Sequence, residues 1–301
     1  MVFIHRGQYP REIVHPMHAP TGSPQAAAAP PPISLVPEEG WHVSHFFYRI
    51  DRARLREIGT PERMEGLGQL KEAWEGSSSH HPQRLQAYLI AGHKADIGVV
   101  AMDPNPLANE TTHQRVMASR VGPALDCTWS FVSMTEVSEY VPTPEQFAEK
   151  LQREGEDAAS PAFQAKVAGY ARRLPMMNEQ RLRPEIPDWP AVCFYPMNKG
   201  RAVGANWFTE PFSRRADMMT EHGHSGMAFA GRVTQLISVG IGIDDWEWMV
   251  TLWARNPQYL KEIVYRMRFD EASARYAEFG PFYVGYRMPL DELFTRTGLK
   301  E

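Results

Sequence analysis

The segment AVCFYPMNK, residues 191–199, spaces Tyr195, Met197 and Lys199 two residues apart, so in a strand the three side chains share one face. Further on, MMTEHGHSG (218–226) carries His222 near the expected end of a helix, where the partial negative charge of the dipole favours an electropositive partner such as a ferric ion. A phenol can release an electron with its proton, an ammonium can pair with a carboxylate, and an imidazole can bind a metal. Set among methionine and tryptophan side chains, this trio suggests a site for a large apolar cofactor bearing negative groups, a description that a haem-type porphyrin fits. Taken singly, the same residues read as a packing aromatic, an exposed strand end and an ordinary helical histidine.

These side chains need elements to position them. Residues 1–37 are rich in proline and alanine (Pro20, Pro24 and Pro30 to Pro32), a composition that favours extended chain over a packed core. From Trp41 the pattern becomes regular. WHVSHFFYRI reads as a strand, Thr60-Pro61 opens a helix, LQAYLIAG and DIGVVAM read as strands, and a helical piece near 112–121 precedes the strand CTWSFVSM. Thr143-Pro144-Glu145-Gln146 has capping-box spacing and opens another helix, and 154–187 reads as a helical or irregular connector rich in charge.

The order then repeats. After the strand AVCFYPM, a helix is expected from near Ser213 to a left-handed glycine cap at Gly223, followed by GRVTQLISVGIG and WEWMVTLWA as strands. Asn256-Pro257 caps a helix with Leu260, Ile263, Val264 and Met267 on one face, and PFYVGYRM is the last strand. Two β-α-β-β-α-β runs predict an α+β protein of two tandem ferredoxin-like units, residues 38–188 and 189–301, whose antiparallel sheets pack together.

With 32 basic and 36 acidic residues the formal charge is −4, which lacks the basic excess of a nucleic-acid binder. Cys127 and Cys193 form neither a disulfide framework nor a metal-ligand spacing and are expected as buried, reduced thiols. Neither a membrane span nor a signal peptide is legible, so the expected location is cytoplasmic.

The runs YPMNK (195–199), NW (206–207), HG (222–223), GRVTQ (231–235), DDWEW (244–248) and YRMRFDEASARYAEFG (265–280) resemble the coproheme decarboxylases, a branch of the chlorite dismutase-like proteins found in Firmicutes. The resemblance covers the chain after about the first forty residues. It implies a dimeric α+β barrel with the cofactor in the C-terminal copy, and a peroxide-dependent conversion of two propionates of iron coproporphyrin III (coproheme) to vinyl groups, giving haem b. It makes His222 the proximal iron ligand, Tyr195 the radical-forming residue and Lys199 a partner in charge pairing or proton delivery. Met197 would line the porphyrin edge, while Arg181, Arg268 and Ser273 would hold propionates.

Gln235 of GRVTQ stands where chlorite dismutases resembling this chain carry a distal arginine, which separates the two activities. A homopentamer and a transient contact with a ferrochelatase are also implied. The rival readings are a chlorite dismutase or peroxidase on the same fold, and a haem carrier or sensor without turnover. One departure from the family pattern is Met227, where HGxxGR would place an arginine. In the N-terminal half, GHKAD (92–96) and SFVSMTEVSEY (130–140) also look like family sequence and are expected to pack against the cofactor domain or close its entrance.

Overall fold

HVSHFFYRI carries apolar or small residues at six of its nine positions, on both faces of a strand, and suits burial on each. In the computed structural model it is a central strand, β1 (His42–Ile50). The structure describes residues 32–78 and 80–300; the extension up to residue 31 lies outside them. After β1 come α1 (Arg52–Glu57), α2 (Thr60–Glu75), β2 (Arg84–Ile90), β3 (Ile97–Asp103), α3 (Pro106–Ala118) and β4 (Leu125–Met134). Two connector helices follow, α4 (Pro144–Arg153) and α5 (Pro161–Leu182). The second run is β5 (Ala191–Lys199), a small hairpin of β6 (Arg201–Ala202) and β7 (Ala205–Asn206), α6 (Phe212–Met227), β8 (Val233–Val239) and β9 (Trp248–Ala254). It continues with α7 (Pro257–Met267), α8 (Glu271–Tyr276), β10 (Ala277–Phe279), β11 (Tyr283–Tyr286) and α9 (Leu290–Thr297).

The helix starts follow local chemistry. The Asn105 and Asn256 side chains accept from the backbone N–H of Leu107 and Gln258, each with proline in the first turn, and Thr143 with Gln146 forms a reciprocal capping box. Thr60 is not a cap: Gly59 holds that position without a side-chain bond.

Within each run the strands take the order 4-1-3-2 of a ferredoxin-like unit, β4-β1-β3-β2 and β11-β5-β9-β8. The two antiparallel sheets join edge to edge, in the manner of the expected α+β barrel. Gly285 and Tyr286 of β11 pair with Ile90 and Leu89 of β2, and Met134 of β4 pairs with Val239 of β8. With β5 paired to β9, the strands close into an antiparallel barrel, and β10 lies beside residues 197–199 of β5.

Alternation along each strand then gives the barrel two faces. Phe47, Tyr88, Met102, Phe131, Phe194, Leu236, Trp253 and Tyr283, one from each strand of the ring, form a single buried cluster that fills the interior. The outward side chains of the second run, Cys193, Tyr195, Val250 and Leu252, pack with Leu260, Ile263 and Met267 of α7. The candidate chemistry is therefore carried on the outside of the barrel, between sheet and helices.

Candidate active site

β5 presents Tyr195, Met197 and Lys199 on that outward face, as the two-residue spacing demands. Tyr195 is buried, stacked on Phe282 with ring centroids 4.4 Å apart and edge-on to Phe279 at 5.7 Å. Among the described residues its hydroxyl has no hydrogen-bond partner. Burial, reinforced by Cys193 and opposed by Arg268, raises its pKa, so the group is a neutral phenol.

At the end of β5, Glu247 accepts the backbone N–H of Lys199 at 2.7 Å, while the Glu247 N–H donates to the side chain of Asn198 at 2.8 Å. This reciprocal pair fixes the backbone under Lys199. The ammonium lies 4.1 Å from the centroid of the Trp207 ring, and burial pushes its pKa down to about 8 against upward pulls from Asp270 and Glu247.

His222 is on α6, which differs from expectation in its end. The helix runs through Gly223, which has no left-handed φ, and stops at Met227. His222 therefore precedes the last turn, and the dipole contributes less to it than its neighbours do. Its Nδ1 lies 2.9 Å from a carboxylate oxygen of Asp270 and 3.3 Å from the hydroxyl of Ser273. Burial alone would raise the Asp270 carboxyl, but hydrogen bonds from His222 and Ser273 outweigh it and hold the group below the usual carboxylate range. With Nδ1 engaged, Nε2 is the ring nitrogen that remains for a metal.

Asp270, which backs His222, was not singled out in the sequence. It caps α8 by accepting the Ser273 N–H at 2.9 Å, and the cap pattern Asp-x-x-Ser was a readable signal for it.

All eight candidate site residues expected from the sequence line one cavity of about 730 Å³: Tyr195, Met197, Lys199, His222, Gln235, Arg268, Ser273 and, from α5, Arg181. Such a volume suits a cofactor-sized ligand. Gln235 and Ile237 alternate outward along β8 around inward Leu236. Arg268 lies over the Phe279 ring at 4.1 Å, and Ser273 is drawn toward the imidazole as well as the cavity.

Arg215 of α6 is a further cation on the wall, missed in the sequence. It donates to Glu139 at 2.8 Å and to the Tyr140 hydroxyl at 3.0 Å, while its buried Nε has no partner among the described residues. The stretch Glu136–Val141 of the first run forms part of the same wall. Burial, with Glu139 adding to it, raises the Glu136 carboxyl. Met227 is 63% exposed and does not line the cavity. Cys193 is buried and Cys127 only partly so, both as free thiols.

The cavity meets the demands of a flat, apolar, anionic ligand. Four cationic side chains, Arg181, Lys199, Arg215 and Arg268, supply carboxylate partners. Ile237 and Ile241 on its wall are 41% and 49% exposed, apolar surface that a porphyrin face would cover. A buried carboxylate orients the one imidazole on the wall.

Fold and site together define an α+β barrel of tandem ferredoxin-like units with an outward pocket on the C-terminal copy that suits a haem-like group. The chlorite dismutase family model matches residues 63–288, and the chain belongs to that family. A coproheme decarboxylase from Staphylococcus saprophyticus is 34% identical over 85% of this chain and 94% of its own length. A solved structure from Thermus thermophilus, described as that of a haem-binding protein, covers 86% of this chain and 96% of its own with a TM-score of 0.71 at 34% identity. A provisionally named haem-binding protein from Natronomonas pharaonis is 35% identical over 85% of this chain, which spans only 40% of that relative's length. No helix among the described residues is long and apolar enough to cross a membrane.

Proposed function

We propose that the protein is a hydrogen peroxide-dependent coproheme decarboxylase. The observation that carries this reading is the convergence of Tyr195, Lys199 and the Asp270-backed His222 on one cavity whose cations match a tetracarboxylate. Coproheme is the substrate and, oxidised by peroxide, supplies the oxidising equivalents. His222 would hold the iron through Nε2, Arg181, Arg268, Arg215 and Ser273 would anchor propionates, and Met197 and Gln235 would line the porphyrin from the same cavity.

Tyr195 loses an electron and its proton, and the phenoxyl radical takes hydrogen from the propionate carbon next to the ring. The carboxylate then leaves as carbon dioxide with loss of a second electron, and a vinyl group remains. Each conversion consumes one propionate, one hydrogen peroxide and one proton and yields a vinyl, carbon dioxide and two waters. The proton demand gives Lys199 its second task, because an ammonium with its pKa lowered to about 8 is a competent donor near neutrality. A cytoplasmic homopentamer that receives coproheme from a ferrochelatase belongs to the same proposal.

The test loads the apo-protein with iron coproporphyrin III, titrates hydrogen peroxide and follows the porphyrin by mass spectrometry. Stepwise formation of a three-propionate species and then haem b is expected, with loss of both in Tyr195→Phe. Binding followed only by bleaching would overturn the proposal in favour of a peroxidase or a carrier.

A further inference from the structure

Beside the reacting phenol the cavity offers an oxidising equivalent a second way out. Trp207 is buried on the cavity wall, and its ring centroid is 5.3 Å from that of Tyr276. Tyr276 is itself buried, and its hydroxyl donates to a carboxylate oxygen of Glu210 at 2.6 Å. An indole, a phenol and a waiting proton acceptor thus lead from the cavity toward a partly exposed carboxylate. Loss of an electron along this line would waste peroxide without removing carbon dioxide.

The Lys199 ammonium sits 4.1 Å from the centre of the indole at the head of the line. Cation–π attraction depends on the electron-rich face of the ring, and it becomes repulsion between two positive charges once the indole has lost an electron. An oxidised indole is a weak enough acid to persist as a cation, whereas an oxidised phenol sheds its proton at once, so the charge that the ammonium repels forms on Trp207. Tyr195 differs in kind, because its oxidation with proton loss creates no net charge. The same ammonium therefore opposes oxidation of Trp207 far more than oxidation of Tyr195.

We infer that Lys199 is a specificity-determining residue that keeps oxidising equivalents on Tyr195 by closing a side path through Trp207, Tyr276 and Glu210. This rests on the proposed decarboxylase reading. In the side path, hydrogen peroxide acting through bound coproheme is the oxidant, and Trp207 gives up one electron. Tyr276 refills the indole with one electron and passes its phenolic proton to Glu210; a one-electron donor in solution, such as ascorbate, then returns the phenoxyl radical and the carboxylic acid to phenol and carboxylate, and two such passages with two protons turn one hydrogen peroxide into two waters.

The first arm of the test uses the apo-protein. One-electron oxidation by a flash-generated ruthenium(III) tris-bipyridine complex, read by transient absorption and electron paramagnetic resonance, should give a several-fold higher Tyr276 radical yield in Lys199→Met than in wild type. The gain should vanish in Lys199→Met/Tyr276→Phe and be reversed in Lys199→Arg, which restores a cation over the ring. The second arm measures, with ascorbate present as the one-electron donor, hydrogen peroxide consumed per carbon dioxide released by the coproheme-loaded protein. That ratio should rise several-fold in Lys199→Met and fall again on adding Trp207→Phe. Equal radical yields in wild type and Lys199→Met would overturn the inference, as would a raised ratio that Trp207→Phe leaves in place. If the wild type releases no carbon dioxide, the decarboxylase reading fails, while the apo-protein arm still decides whether Lys199 guards Trp207.

Discussion

The Asp270 carboxylate lies 2.9 Å from Nδ1 of His222 and is itself buried, so the imidazole is held in one orientation by a group that water hardly reaches. Such backing makes an imidazole a stronger donor to a metal, and its removal characteristically costs about 10–100-fold in metal affinity or activity. Asp270→Asn, which keeps a capping oxygen for the Ser273 N–H, is expected to weaken haem binding by about 10–100-fold with little loss of stability. Spectrophotometric titration with haem alongside thermal melting separates the two effects.

Lys199 should couple binding to pH. Burial holds its pKa at about 8, below the ordinary 10.5, and a propionate placed beside the ammonium would raise it again. Coproheme binding should therefore take up protons just above pH 8, and affinity should fall as pH rises through that range. In the apo-protein the sign for stability is opposite. Between the folded value and the ordinary one the unfolded chain binds more protons, so the Lys199 penalty, complete below about pH 8, fades toward pH 10.5. Calorimetry in buffers of different ionisation heat should show proton uptake in wild type and none from this source in Lys199→Met.

His45 should sensitise the fold to acid. Its ring is fully buried inside the barrel, bonded through Nε2 to Thr251 at 3.0 Å, with Nδ1 unpartnered among the described residues. Burial lowers its pKa to about 3, so between that value and the ordinary 6.5 only the unfolded chain takes the proton. Stability is lost as pH falls through this window, by up to about 1.4 kcal/mol per pH unit. Urea denaturation from about pH 6.5 to about pH 4.5 should show a shallower decline in His45→Phe/Thr251→Val than in wild type.

Gly285 marks a close approach at one seam of the barrel. A Cβ there would sit 2.9 Å from Val192, 3.0 Å from Cβ of Tyr88 and 3.1 Å from Ile90. Gly285→Ala is expected to cost about 1–3 kcal/mol, the usual range for overpacking, measurable as a lower urea midpoint. Because Gly285 pairs with Ile90 and Val192, the strain falls on the joint and not on the cavity.

Much of this architecture was legible because it rests on local rules. Two-residue alternation put Tyr195, Met197 and Lys199 on one face, and cap chemistry at Thr143 and Asn256 marked helix starts, whereas the Asn105 cap was not read and the helix expected near 112–121 runs from Pro106 to Ala118. Gly223 misled, since a glycine inside a helix and one that ends it look alike until the following residues are placed; α6 continues to Met227. Arg215 and Asp270 were missed because their importance comes from partners distant in sequence, Glu139 and His222. The barrel itself was expected from the family resemblance, but the joining edges were not legible, because nothing in β2 or β11 alone says which edge each will find.

The two seams also constrain how the protein can be made. Residues 42–134 leave the ribosome with β2 and β4 as bare edges, and their partners β11 and β8 arrive only after long stretches of further synthesis. Bare edges invite pairing with other nascent chains, and joining segments so far apart is slow. A chain released before residue 283 would already carry Tyr195 and His222, yet lack β11, which closes the barrel between β5 and β2. Competence for porphyrin is thus acquired abruptly, near the end of translation.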